Sequence, residues 1–431
     1  MMLRIGIYIL SLFLSLFTWS VPQYIEGQFI IKTKKGVSAK VLFNEVNSLF
    51  PDSRISKIGF SNIYLLDVSI PKGQKFSLEI ILNKLRKLSY IEHVEPNFKL
   101  KALAVPNDTY YFYQWNLEKI QAPFAWNLTV GDKAILVAVI DTGIDIFHND
   151  LNGNIWLNPN EICDDGKDND ANGYVDDCYG YNAVNDLGSA VDDNGHGTHV
   201  AGIIGAIGNN EIGISGINWK VSIVGCKFLN ANGWGSLADE IECLNYIKTL
   251  KELGYNIVAI NASYGGYYVS QIEKEVMSEL GLLGILIIAA AGNDGVNVDQ
   301  KPLSPCSYSV ELPNVICVAA TDEDDKLASF SNYGVNTVQV AAPGVNILST
   351  YLDNSLEWMN GTSMAAPHVT GLAALVKSYK FSLSSNELKD LILRSVDNLT
   401  TLTNYISTGG RINLFKAMIL ADNVTDNTTN Y

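Results

Sequence analysis

The chain has 431 residues, 47% of them apolar and 17% charged, and carries a net charge of −15. That is apolar material enough for a large core, in a chain too long for one small domain; the acidic balance argues against a polyanion such as nucleic acid as the main partner. The charge is uneven: residues 21–104 sum to +6 and residues 105–431 to −22, which suggests a basic front module that an acidic body attracts.

In chain order, Arg4 precedes an apolar run from Ile5 to Trp19, interrupted only by serine, threonine and glycine. At about 15 residues the run is short for a bilayer span, which needs about 20, and Thr18 and Ser20 offer small residues to a signal peptidase. Residues 1–20 therefore read as a signal peptide, an uncleaved anchor being the alternative, and no later stretch suggests a membrane span in the mature form. Residues 27–34 alternate like a strand, Val37 to Phe50 carry apolar residues at helical spacing with Ser38 as a cap, and 61–70, 77–88 and 91–100 read as strand, amphipathic helix and strand. With a further strand near 53–60 the order is β-α-β-β-α-β, a small ferredoxin-like module.

From about residue 105 the rhythm changes. Apolar runs of strand length at 134–143, 221–229, 256–263, 285–293, 315–321 and 337–344 alternate with helical stretches at 197–207, 236–253 and 271–282. Strands without alternation, interleaved with helices, predict an α/β fold: a mostly parallel sheet covered by helices on both faces. Chemistry in such sheets gathers at the C-terminal strand ends, where Asp, Asn and Ser cluster in this sequence. The six cysteines form three local couples, Cys163/Cys178, Cys226/Cys243 and Cys306/Cys317, none with C-x-x-C spacing. Disulfides between these neighbours are expected, which fits export, with buried free thiols the alternative. An acidic insert occupies 161–178, and residues 422–431 form a polar tail.

Four motifs carry chemistry. Asp141 ends an apolar strand, where a desolvated carboxylate needs a partner; capping a helix is the plainer alternative. His196 opens the glycine-flanked run Asn194–Gly202 that leads into a helix. His196 and His199 could also hold a metal, but the sequence lacks the glutamate of H-E-x-x-H. Ser363 lies among small residues, with Pro367 expected only near a helix's first turn, which places Ser363 at a helix N-terminus suited to developing negative charge. Alone it could be an ordinary N-cap. Asn293 follows an apolar strand with its amide free to point outward, and an oxyanion donor of that kind is worth about 3–4 kcal/mol.

Together, in the order Asp, His, Ser, these segments resemble the subtilisin-like serine protease family, the subtilases, over about residues 107–415. The likeness includes Gln121-Ala122-Pro123 and Gly409-Gly410-Arg411-Ile412-Asn413. It implies a secreted, monomeric serine endopeptidase acting on proteins and peptides through an acyl-enzyme, with Asp141, His196 and Ser363 as the triad and Asn293 as oxyanion donor. It implies peptide binding as an added strand against Gly233, Trp234 and Gly235 on one side and Ser263, Tyr264 and Gly265 on the other. It implies structural calcium, Ca2+, in two places: Asp168, Asp170, Asn172 and Asp176 of the acidic insert, which has the spacing of a calcium loop without its closing glutamate, and Asp108, Asp150 and Asn210. Residues 21–104 then resemble an inhibitory, chaperoning propeptide cut near 101–106, leaving a catalytic domain at 105–421. The rival readings are a dedicated processing protease or peptide ligase, and a catalytically silent calcium-binding surface protein on the same scaffold.

Overall fold

The computed structural model describes residues 24–59, 61–69, 77–99 and 104–424; the expected signal peptide, the first half of the cleavage segment and the end of the polar tail lie outside them. The chain divides into two compact units, one up to residue 102 and one from residue 103.

The first unit follows the expected order: β1 (Tyr24–Thr33), α1 (Ala39–Leu49), β2 (Arg54–Lys57), β3 (Ile63–Asp67), α2 (Leu78–Arg86) and β4 (Ile91–Phe98). Its antiparallel sheet runs β2-β3-β1-β4. Strand residues Phe29, Ile31 and Leu66 meet Leu42 and Val46 of α1 and Leu85 of α2 in one core. Ser38 caps α1 by accepting from the Val41 N–H, as its sequence position predicts.

The second unit begins with two short helices, α3 (Trp115–Lys119) and α4 (Ala122–Ala125). Its sheet strands are β5 (Gly131–Asp141), β6 (Tyr181–Asn182), β7 (Lys220–Lys227), β8 (Ile257–Ala262), β9 (Leu286–Ala290), β10 (Val315–Thr321) and β11 (Val340–Pro343). Helices α5 (His196–Gly205), α6 (Leu237–Glu252) and α7 (Gln271–Leu282) lie between them. A hairpin, β12 (Ile347–Tyr351) and β13 (Ser355–Met359), then leads to α8 (Thr362–Tyr379), α9 (Ser385–Arg394), β14 (Asp397–Asn398), β15 (Gly410–Arg411) and α10 (Leu414–Asp422).

The nine strands run β14-β15-β11-β10-β9-β8-β5-β7-β6, and every pairing is parallel except the edge pair β14–β15. The unbroken apolar runs have a direct cause. In β5, Ile135, Val137 and Val139 enter a core shared with α5 and α8, while Leu136, Ala138 and Ile140 enter a second core shared with α6 and α7. With both faces covered, no position from Ile135 to Ile140 is free to be polar. The cysteines pair as neighbours, and closing loops of 15, 17 and 11 residues restricts the unfolded chain by about 3 kcal/mol each. Arg411 of the GGRIN motif is buried, donating to Asp397 at 2.8 Å. Among the described residues no helix is long and apolar enough to cross a membrane.

Candidate active site

Asp141 is fully buried at the C-terminal end of β5, an interior strand between β8 and β7. Its Oδ1 accepts from the Thr142 N–H at 2.7 Å and lies 2.8 Å from His196 Nδ1. His196 is the first residue of α5, and the close approach of that helix to the strand end depends on Gly197: a Cβ there would stand 2.1 Å from the Gly143 carbonyl oxygen. Asp192 fixes the helix start, its carboxylate accepting from the N–H groups of Asn194, Gly195 and Thr198 and from the Thr198 hydroxyl. Burial by itself pushes the His196 imidazole down. The charge and hydrogen bond of Asp141, with a contribution from Asp192, outweigh that and hold it above its ordinary value.

His199 does other work. Its Nε2 lies 3.1 Å from the Ile347 carbonyl and 3.0 Å from the Glu357 carbonyl, tying α5 to the hairpin, and burial pushes it down to about 3. Among the described residues neither His196 nor His199 belongs to a group of three side chains able to hold a metal.

Ser363 is the second residue of α8, at the helix N-terminus as expected. Pro367 is not confined to the first turn: it lies inside α8. Having no N–H, it leaves the Ser363 carbonyl without its helical donor, and the Ser263 hydroxyl takes that place at 2.8 Å. The Ser363 Oγ donates in return to the Ser263 carbonyl at 3.1 Å. No hydrogen bond joins Ser363 to His196 among the described residues; the serine must rotate toward Nε2 to use it as a base. Such bonds commonly tighten only when substrate is bound.

The Asn293 amide is oriented by its neighbours. Its Oδ1 accepts from both the N–H and the hydroxyl of Thr362, at 2.8 and 2.9 Å, which turns Nδ2 outward. A Cβ placed on Gly361 would stand 3.5 Å from Asn293 Nδ2 and 3.5 Å from Ser363 N. Two N–H donors therefore aim at one region beside the serine, an arrangement able to hold an oxyanion.

The two strand-like segments flank this centre. Trp234 is 76% exposed, and its loop is closed by Gly233 N–H to the Asn230 carbonyl at 2.8 Å. Among the described residues the backbone groups of Gly235 and Gly265 have no partner, which leaves them available to an added strand. Tyr264 behaves differently from Trp234: its ring packs on Phe228 at 4.6 Å and its hydroxyl donates to buried Glu240 at 3.0 Å. A support the sequence reading missed is Lys227, 2% exposed. Its ammonium donates to the Thr142 and Leu229 carbonyls and to Asp193, at 2.8, 2.7 and 2.6 Å. It thereby ties the end of β5, the start of the Trp234 segment and the loop before His196.

The acidic insert is closed by Cys163–Cys178. Carboxylate oxygens of Asp168 and Asp170 converge with one of Glu161, all within 4.8 Å of one another, so a glutamate ahead of the loop stands in for the closing one it lacks. Glu161 Oε2 is buried without a hydrogen-bond donor. Asp176 is not one of these three, its carboxylate accepting from the N–H groups of Asp165 and Gly166; Asn172 stands beside them, donating its backbone N–H to Asp168 and Asp170, both at 3.1 Å, while its side chain bonds Tyr174 N–H and Asp177. At the other candidate site Asp150, 1% exposed, accepts from Asn210 Nδ2 and Ile214 N–H, both at 2.8 Å. Asp108 accepts from Asn209 N–H at 2.6 Å, while its Oδ1 is buried and unpaired. Burial, with a smaller contribution from the Asp108 charge, pushes Asp150 up to about 7. Neither carboxylate forms a salt bridge among the described residues, and orphaned buried oxygens of this kind suit a hard cation.

Comparison with known proteins shows the family to which the chain belongs. The profile of the subtilase family matches residues 132–413. The chain is 34% identical to the thermophilic serine proteinase of Bacillus sp. strain AK1 over 400 residues, covering 92% of this chain and 88% of that protein. It is 33% identical to thermitase of Thermoactinomyces vulgaris, covering 73% and 99% respectively. It is 36% identical to subtilisin-like protease 1 of Plasmodium vivax, covering 73% of this chain but 52% of that longer protein. Among solved structures, a protease of Pseudoalteromonas arctica superposes with a TM-score of 0.61 at 26% identity, over 74% of this chain and 100% of that one.

Proposed function

Given that the chain belongs to the subtilase family and is a subtilisin-like serine endopeptidase, we propose that Asp141, His196 and Ser363 are its catalytic triad, with Asn293 and the Ser363 N–H as the oxyanion donors. The observation that carries this is the 2.8 Å bond between His196 and a fully buried carboxylate at the end of the interior strand β5. With Nδ1–H held by Asp141, the imidazole presents Nε2 as a base. The Ser363 Oγ attacks the scissile carbonyl and passes its proton to Nε2, while Asn293 and Ser363 N–H take the charge on the tetrahedral oxygen. Collapse breaks the C–N bond, the departing amine takes the proton from His196, and water releases the acyl group by the same steps in reverse. A peptide pairs with Gly233–Gly235 and Ser263–Gly265, with Trp234 on the rim.

In this reading calcium is structural. Glu161, Asp168 and Asp170 hold it at one site, and Asp108, Asp150 and Asn210 at the other. Bound there, it supplies positive charge to carboxylates that otherwise repel one another. Residues 1–20 direct export, and the basic unit preceding residue 105 is a propeptide removed by the enzyme itself, its +6 set against −22 in the body. A fluorophosphonate probe should label the mature protein and not Ser363→Ala, which should accumulate as an uncut precursor. Labelling that survives the substitution would overturn the assignment of the nucleophile, and normal maturation would overturn self-processing.

A further inference from the structure

Behind the peptide-binding segment lies a polar core that the catalytic reading does not use. Glu240, in the first turn of α6, and Glu273, in the first turn of α7, are 1% and 0% exposed and lie close enough for the charge of Glu273 to act on Glu240. Tyr264 and Tyr268 donate their hydroxyls to the two oxygens of Glu240, at 3.0 and 3.2 Å. Tyr308 donates to Glu273 Oε2 at 2.7 Å. Glu273 Oε1 is buried and receives none of these donors. Lys274 stands over the Tyr308 ring at 5.5 Å, but its ammonium pairs with Glu311 at 2.7 Å rather than with either carboxyl.

We propose that Glu240, sharing one proton with Glu273, is a positioning residue that holds Tyr264, and through it the peptide-binding segment, in the conformation that binds substrate. The reasoning is steric and electrostatic. Two neighbouring buried carboxylates disfavour a double charge, and a single proton between them supplies the donor that Glu273 Oε1 lacks. Burial first, then the neighbouring carboxyl, raises Glu240 well above the ordinary range. The helix N-termini stabilise the one negative charge that remains on the pair. Ser263 is anchored separately, accepting from Asn261 Nδ2 and donating to the Ser363 carbonyl, both at 2.8 Å. A disturbance at Glu240 therefore moves Tyr264 and stops short of the nucleophile.

The inference rests on the assignment of residues 263–265 as a peptide-binding strand, and kinetics on the mature enzyme test it. For a chromogenic tetrapeptide, KM of the wild type should rise about 3- to 10-fold as alkaline pH strips the shared proton, the worth of one hydrogen bond, with kcat unchanged. Glu240→Gln cannot ionise and should keep the neutral-pH KM without the alkaline rise. Glu240→Leu should show the raised KM at every pH, while KM for a single-residue ester, too short to pair with the strand, stays at the wild-type value. An alkaline rise that persists in E240Q, or an E240L defect that falls on kcat or equally on the ester, overturns the proposal. If neither Glu240 variant folds, Glu273→Gln removes the same charge from the opposite side and must flatten the profile; a wild-type profile there is equally fatal. Fluorophosphonate labelling reports separately on the protease reading: a protein that labels but keeps its alkaline rise in E240Q loses only the positioning role.

Discussion

Replacing Ser263 with alanine should cost stability in a way that a second substitution repairs. The Ser263 hydroxyl donates to the Ser363 carbonyl, which Pro367 leaves without a helical partner, and accepts from Asn261 Nδ2. Asn261 is in turn held by Thr370, whose hydroxyl donates to Oδ1 at 2.9 Å. Ser263→Ala leaves one carbonyl and one amide N–H buried without partners, at about 1–3 kcal/mol each, or about 2–6 kcal/mol together. In a domain of this size that lowers Tm by about 3–9 °C. Pro367→Ala restores an N–H at the place where the helix lacks one. In the Ser263→Ala background it should recover much of the loss, while with Ser263 present it should gain less, because the carbonyl is already satisfied. Melting of the four combinations, all carried on Ser363→Ala to prevent self-digestion, yields the coupling as a double-mutant cycle; the nucleophile's backbone carbonyl survives that substitution. An unchanged Tm in Ser263→Ala, or an equal effect of Pro367→Ala in both backgrounds, would refute the claim that the proline creates the vacancy Ser263 fills.

The base form of His196 is needed for attack, and Asp141 and Asp192 raise its pKa, so activity should fall as pH drops, with a midpoint above the ordinary histidine value near 6.5. A kcat/KM profile with its acid midpoint at or below that value contradicts the electrostatic argument. Chelation of calcium should lower thermal stability, since a ligand of the folded state alone shifts the equilibrium. The effect should depend on pH. Without a cation, Asp150 is raised to about 7 from an unfolded value near 3.8. Its burial is therefore harmless while it is protonated, and the penalty develops as pH climbs from about 4 through 7. Asp150→Asn should remove that slope in denaturation series run in chelator, and a slope that survives the substitution assigns it elsewhere.

The parts of this molecule legible in sequence are those whose physics is local. The core strands show themselves because both faces are covered, as in β5, where successive residues feed opposite cores. The residues proposed as the triad stand among glycines in the sequence, and at His196 the Gly197 contact with the Gly143 carbonyl shows the close backbone approach that such a glycine permits. The β12–β13 hairpin gave no such signal. Its second strand is largely exposed, and its turn relies on Asp353 and Asn354 at positive φ rather than on glycine. Glu161 carries no local mark in the sequence, because only the folded insert brings it against Asp168 and Asp170.

The supports of the site were hidden for a different reason. Glu240 sits 24 residues from Tyr264, Glu273 35 residues from Tyr308, and Ser263 100 residues from Ser363. A glutamate in a helix's first turn satisfies every local rule as a solvated, dipole-favoured charge, so nothing nearby marks it as buried. Only the packing of α6 and α7 beneath the segment after β8 removes water from both carboxyls and obliges them to share a proton. Catalytic residues must meet a geometric demand that leaves traces in their neighbours. Residues that hold them need only a partner, and that partner can come from anywhere in the chain.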